Sequence, residues 1–234
     1  MDKANLNDNL SPTPSWPLYR ALVGVGVVCG LLIVSVFVLT GPVIARNEAA
    51  ALQEAVFQVV PGAVGRASFT LDAEGHFQRA GEGGAAGDTV HAGYDADGRL
   101  VGVAIEAQGM GYQDVIRILY GYAPRRQAIV GMRVLASKET PGLGDKIEKD
   151  PAFLANFDAL DVTVAADGQS LARPIEAVKS GAKTLPSQVD GITGATISSK
   201  AIAAILRDSS ARWVPLLHRL QGELQNRGGD DAGG

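Results

Sequence analysis

Asp190-Gly191-Ile192-Thr193-Gly194-Ala195-Thr196-Ile197-Ser198-Ser199-Lys200 is the stretch on which the reading of this chain turns. Two glycines and an alanine let the backbone approach a ligand with no side chain intervening. Four hydroxyls, on Thr193, Thr196, Ser198 and Ser199, stand just before Ile202, Ile205 and Leu206, whose spacing predicts a helix from about Ser199 to Arg212. A helix N-terminus presents unpaired N–H groups and a partial positive charge, which suits a phosphate, and Lys200 adds a cation. The residues equally accommodate a plainer reading, in which Ser198 or Ser199 caps the helix and the glycines form a tight turn. The segment does not match GxxxxGK[ST], so a P-loop is excluded.

Working outward, the preceding chain alternates strands with short helices. Thr89–Tyr94 and Leu100–Ala107 read as a hairpin around Asp95-Ala96-Asp97-Gly98, an Asp-Gly turn followed by alternating Val101, Val103 and Ile105. Asp114–Tyr122 and Gln127–Ala136 read as a second pair, broken at Ala123-Pro124-Arg125-Arg126. Pro151–Phe157 predicts a short amphipathic helix and Leu160–Ala165 a further strand. The run Gly81–Gly87 reads as a flexible loop, and the polar, Gly-rich end after Leu224 as a tail unable to fold alone. Together these elements predict one compact α+β domain over residues 89–212, with residues 213–234 as a C-terminal tail.

Upstream, no residue from Ala21 to Ala45 is charged, and roughly 20 such residues suffice to cross a bilayer as a helix. A cleaved signal peptide would have an apolar region of only roughly 7–15 residues and a small-residue cleavage site. An uncleaved anchor over 21–45 is therefore the expectation, after an N-terminal tail over 1–20. Residues 46–88 follow as a stalk helix, whose Asn47–Phe57 has high helix propensity, and a linker. Lys3 and Arg20 precede the span while Arg46 and Arg66 follow it, so positive charge alone does not orient it. Trp16 and Tyr19 fall where an interfacial aromatic belt would lie. Gly26 and Gly30 make a GxxxG pair that either admits a neighbouring helix or reflects the ordinary use of small residues in such spans.

Among 234 residues there is one cysteine, Cys29, in mid-span as a small apolar filler, so neither an intrachain disulfide nor a Cys-based cluster is available. His76, His91 and His218 have no ligand spacing, and no metal site is expected. A net charge of −4 without a basic stripe excludes nucleic-acid binding. Any redox chemistry must use an organic cofactor.

A second segment, Glu139-Thr140-Pro141-Gly142-Leu143-Gly144-Asp145-Lys146-Ile147, reads on its residues as a proline-set surface turn of mixed charge. Both segments carry a family resemblance. DGITGAT resembles the flavinylation motif of FMN-binding domains, and ETPGLGDKI resembles a stretch of the G subunit of the Rnf (Rsx) ion-translocating electron-transport complex. A similar segment occurs in the related C subunit of the Na+-translocating NADH:quinone oxidoreductase. The two motifs stand about 50 residues apart in the family's order, behind one N-terminal anchor. The likeness runs from about Ala21 to Arg212, with Gly109–Arg126 matching only loosely.

The resemblance implies that a flavin transferase joins the phosphate of FMN to the hydroxyl of Thr196, with Ser198 a rival acceptor. It implies recognition or packing roles for Asp190, Gly191, Thr193, Gly194 and Ala195. It places Glu139, Thr140, Gly142, Leu143 and Gly144 against the flavin, with Lys146 offsetting negative charge on its reduced form. The implied protein is an electron-transfer subunit rather than a self-contained enzyme. It would sit in the inner membrane with its domain on the periplasmic side, beside the other membrane subunits of an Rnf-type complex. Two alternatives stay open: a stand-alone anchored flavoprotein donating to another extracytoplasmic reductase, and a non-redox ligand-binding module. No GxGxxG follows a strand, so NADH itself is not expected to bind.

Overall fold

The computed structural model describes residues 16–72, 74–80 and 89–228, and the chain divides into two units, 1–50 and 51–234. The expected Gly81–Gly87 loop and residues 229–234 of the expected tail lie outside the described residues. Within the first unit, helix α1 (Trp16–Val59) begins with a run of exposed apolar side chains, and it is long and apolar enough to cross a membrane. Thr40 returns its hydroxyl to the Val36 carbonyl at 2.7 Å, so this polar group adds no unmet donor to the apolar stretch. The residues expected as a stalk continue the same helix as far as Val59.

The second unit is built on a seven-stranded antiparallel sheet. In spatial order its strands are β2 (Phe77–Arg79), β1 (Gly65–Leu71), β3 (Thr89–Tyr94), β4 (Leu100–Met110), β5 (Val115–Ala123), β6 (Ala128–Ala136) and β7 (Leu160–Asp161). The period of two sorts the side chains. Val90, Ala92, Val103, Ile105, Ile118 and Tyr120 face one core, which helix α4 (Thr196–Gly228) covers with Ile202, Leu206, Trp213 and Leu217. Ala104 and Leu119 face the other way, onto Ala55, Val56, Val59 and Val60 at the end of α1. That second face depends on absent side chains. A Cβ at Gly121 would stand 1.8 Å from the Val59 carbonyl oxygen and one at Gly131 2.8 Å from the Val59 Cα, so the chain crosses the sheet in a lane of glycines.

The predicted hairpin forms around Asp95, whose Oδ1 accepts the amides of Asp97 and Arg99, with Gly98 at φ +72°. Three expectations need correcting. The expected linker within 46–88 contains β1 and β2, since Ala67 and Phe69 alternate inward and Gly65–Thr70 pairs along β3. The last helix starts at Thr196 and runs past Arg212 to Gly228, through Pro215, because Trp213, Val214, Leu217 and Leu224 continue its buried face. Burial of those four side chains, about 1.5–3 kcal/mol each, outweighs the roughly 3 kcal/mol of an internal proline. The expected strand Leu160–Ala165 is shorter: β7 pairs with β6 only at Leu160 and Asp161, and beyond it Val164 makes an isolated bridge to Leu171.

A small parallel pair, β8 (Glu176–Val178) and β9 (Gln188–Asp190), leads directly into α4. Beside it lie α2 (Lys146–Lys149) and α3 (Pro151–Leu154), the latter continued by a 3-10 turn over Ala155–Phe157. Asp150 caps α3 by accepting from Ala152 N at 2.9 Å and Phe153 N at 3.2 Å, with Pro151 in the first turn, where its missing N–H costs nothing.

Candidate flavin site

Five residues join β9 to α4, and of the four hydroxyls on the joint and the first turn of the helix two are exposed and two buried. Asp190 Oδ2 accepts from Gly181 N at 2.9 Å and its Oδ1 from Ala182 N at 3.2 Å, which ties the start of the segment to the turn after β8. Asn156 grips the same residue from below: its Oδ1 accepts Asp190 N at 2.9 Å and its Nδ2 donates to Asp190 O at 3.1 Å. Gly191 donates to Val178 O at 3.1 Å, and a Cβ there would meet that oxygen at 2.9 Å. Asp190 and Gly191 are thus braces of the loop. Gly194, at φ +85°, turns the chain into the helix, a conformation that penalises any residue with a Cβ.

The four hydroxyls divide cleanly. Ser199 is buried and spends its Oγ on Ala195 O at 2.8 Å, while accepting Ile192 N at 3.1 Å. Ser198 is buried too, its Oγ donating to Glu139 Oε2. Thr193 and Thr196 are exposed, and Thr196 Oγ1 has no hydrogen-bond partner among the described residues. Ser198, the rival acceptor, has its hydroxyl committed inside the protein. Thr196 opens the helix, where the amides of the first turn lack helical partners.

Thr196 stands between two hollows. One, of about 380 Å³, is walled by Tyr112, Leu143 and Ile197, three apolar side chains left 65%, 53% and 55% exposed, with Glu139, Thr140, Gly144 and Gly194–Ser198 completing it. The other, of about 360 Å³, has Lys179 and Lys200 in its lining together with Ser180 and Thr193. The arrangement suits a group with a planar apolar ring on one side and a phosphate on the other: ring-sized apolar walls, free amides and two cations within one reach of a single hydroxyl.

The 139–147 segment supplies one wall. Glu139 is buried and its Oε1 accepts the amides of Tyr112 (2.9 Å) and Gln113 (3.0 Å). Thr140 Oγ1 donates to Gln113 Oε1 at 3.2 Å, and Thr140 O accepts the amides of Leu143 and Gly144. Gly142, at φ +79°, donates to Asp145 Oδ1 at 2.6 Å. The Lys149 ammonium, 2.7 Å from the Asp145 carboxylate, holds that carboxyl below its usual range. Gly144 is glycine because Glu139 and Ser198 meet against it: a Cβ would lie 2.6 Å from Glu139 Oε2.

Of the residues singled out from the sequence, the structure gathers Glu139, Thr140, Leu143, Gly144, Gly194, Ala195 and Thr196 around one hollow. Lys146 lies apart, lining an adjoining hollow with Phe153, Asp190 and Ile192. Sequence reasoning passed over Asn156, Tyr112, Ile197 and Lys179. Only Lys179 carried a usable signal, as a cation upstream of the Gly-rich segment; the Asn156 contact spans 34 residues and has no local signature.

Residues 111–210 match the FMN-binding domain family. The G subunit of the ion-translocating oxidoreductase complex of Methanosarcina acetivorans is 35% identical over 117 residues, covering 50% of this chain and 54% of that protein. Its namesake from Vibrio cholerae is 33% identical over 133 residues, 56% of each. The chain thus spans about half the length of the curated relatives it matches. Among solved structures, NqrC of Shewanella oneidensis superposes with a TM-score of 0.57 at 18% identity, over 76% of this chain and 99% of that one. The C subunit of the Na(+)-translocating NADH-quinone reductase of Parabacteroides distasonis gives 0.52 at 20% identity, over 73% and 83%. These two likenesses speak to the fold.

Proposed function

We propose that this chain, whose residues 111–210 match the FMN-binding domain family, is a membrane-anchored flavoprotein subunit of an Rnf-type ion-translocating electron-transport complex, with FMN linked by a phosphoester to Thr196. The observation that carries the reading is the isolation of the Thr196 hydroxyl. It is exposed, unpartnered among the described residues, placed at a helix N-terminus and flanked by an apolar hollow and a basic one.

Attachment requires a flavin transferase with FAD as donor. The Thr196 O–H bond gives way to an O–P bond, the anhydride P–O bond of FAD breaks, and AMP leaves with the bridging oxygen. Bound FMN supplies the capacity to take up and pass on electrons. The chain's residues do the rest: the helix amides with Lys179 and Lys200 face the phosphate, Tyr112, Leu143 and Ile197 exclude water from the ring, and Asp190 with Asn156 fixes the loop that carries Thr196. A tether is useful on the periplasmic side, where the domain is placed in this reading, because diffusible FMN lost there is not replaced. The partners are then the other membrane subunits of the complex.

Co-expression of the full chain with a flavin transferase, followed by a denaturing gel viewed under ultraviolet light, tests the proposal. A fluorescent band in the wild type that disappears in Thr196→Val supports it. No band in the wild type, or a band that survives the substitution, overturns it.

A further inference from the structure

Glu139 is 6% exposed, yet it has no ion-pair partner among the described residues. Its carboxylate accepts three hydrogen bonds, from the amides of Tyr112 and Gln113 and from the hydroxyl of Ser198. It joins three pieces of the site: the 111–113 loop, the 139–147 loop and the first turn of α4. A glutamine of the same shape would serve nearly as well, its oxygen accepting both amides and its NH2 donating to the Ser198 oxygen. It would also avoid the cost of burying an unpaired charge, which proteins ordinarily meet with a cation. Hydrogen bonding therefore accounts for the position of this side chain but not for its charge. Glu139 lines the hollow beside Thr196, whose lining contains no lysine or arginine.

We propose that Glu139 is a positioning residue that sets the redox balance of the ring in this hollow, holding the flavin toward its oxidised form. The inference rests on the FMN reading above. Reduction brings two electrons from a donor and protons from water, and a fixed negative charge in a low-dielectric wall opposes whatever negative charge the reduced ring retains. Ser198 moderates the effect, since its O–H donates to the carboxylate and draws off part of its charge.

The test uses the full chain, flavinylated by co-expression and purified in detergent, and reads the ratio of reduced to oxidised flavin spectroscopically at a fixed potential set by a mediator-coupled electrode. Glu139→Gln raises that ratio about tenfold or more, which corresponds to about 30 mV for a two-electron couple. Ser198→Ala keeps the charge, removes one donor, and lowers the ratio about twofold. A purely structural role for Glu139 predicts a loss of thermal stability in the unloaded chain with no movement of the ratio, and that result overturns the inference. Should Glu139→Gln not fold, Ser198→Ala still decides, because a rise in its ratio contradicts the proposed polarity. The two levels fail differently: a wild type that takes up no covalent flavin sinks the FMN reading itself, whereas a loaded wild type with an unresponsive Glu139→Gln sinks only this inference.

Discussion

Truncating Asn156 to alanine removes the strut under the Thr196 loop, and its cost follows from the contacts. Asn156 is buried, donates to Phe153 O at 2.9 Å and Asp190 O at 3.1 Å, and accepts from Asp190 N at 2.9 Å. An intramolecular hydrogen bond contributes about 1 kcal/mol net, and a buried donor or acceptor left without a partner costs about 1–3 kcal/mol. Alanine leaves both backbone groups of Asp190 without this partner, in a position only partly open to water, so the loss should be about 2–4 kcal/mol. For a domain of this size each kcal/mol moves the melting temperature by roughly 2–4 °C, giving a drop of about 5–15 °C. Thermal unfolding of the full chain in detergent, followed through the fluorescence of buried Trp213, reads it directly. A drop below about 1 °C would mean that Asn156 does not brace the loop, and the explanation of how Thr196 is presented would be wrong.

Gly121→Ala drives a Cβ into the Val59 carbonyl, so the crossing segment must shift. Overpacking of this kind costs about 1–3 kcal/mol, and denaturant titration should place the variant's midpoint clearly below that of wild type; an equal midpoint would refute the glycine lane. Burial, assisted by Arg66, lowers the His91 ring to about 4, so the folded state holds it neutral. Its contribution is complete above the ordinary histidine value and is lost as pH falls through about 6.5 to 4. Wild type should therefore lose about 3 kcal/mol across that window that His91→Gln does not lose, and parallel pH–stability curves would refute the assignment.

Where information was local, the sequence carried it. The Asp95–Gly98 turn and the alternation of Val101, Val103 and Ile105 marked a hairpin that forms as expected, because turn chemistry and a period of two are properties of neighbouring residues. Strand β1 lacks such a signal: its local partner β2 is only three residues long, and most of its register is made with β3, some 20 residues on. The spacing of Ile202, Ile205 and Leu206 carries helix α4 only to about Arg212, whereas its continuation through Pro215 rests on the burial of Trp213, Val214, Leu217 and Leu224, a tertiary fact. At the site, the glycines and the following helix marked Asp190–Lys200 as a segment suited to a phosphate, and only the resemblance of DGITGAT to the flavinylation motif pointed to Thr196 within it. Its bracing by Asn156, and the withdrawal of Ser198 toward Glu139, depend on contacts made across 34 and 59 residues.

The function proposed for this site turns on one oxygen atom. Proteolysis of the flavinylated full chain, with mass spectrometry of the fluorescent peptide, reads it most directly. The peptide spanning Asp190–Lys200 should carry the mass of one FMN less water, with fragmentation placing it on Thr196. The same mass on Thr193, Ser198 or Ser199, or on no residue of this peptide, would contradict the assignment.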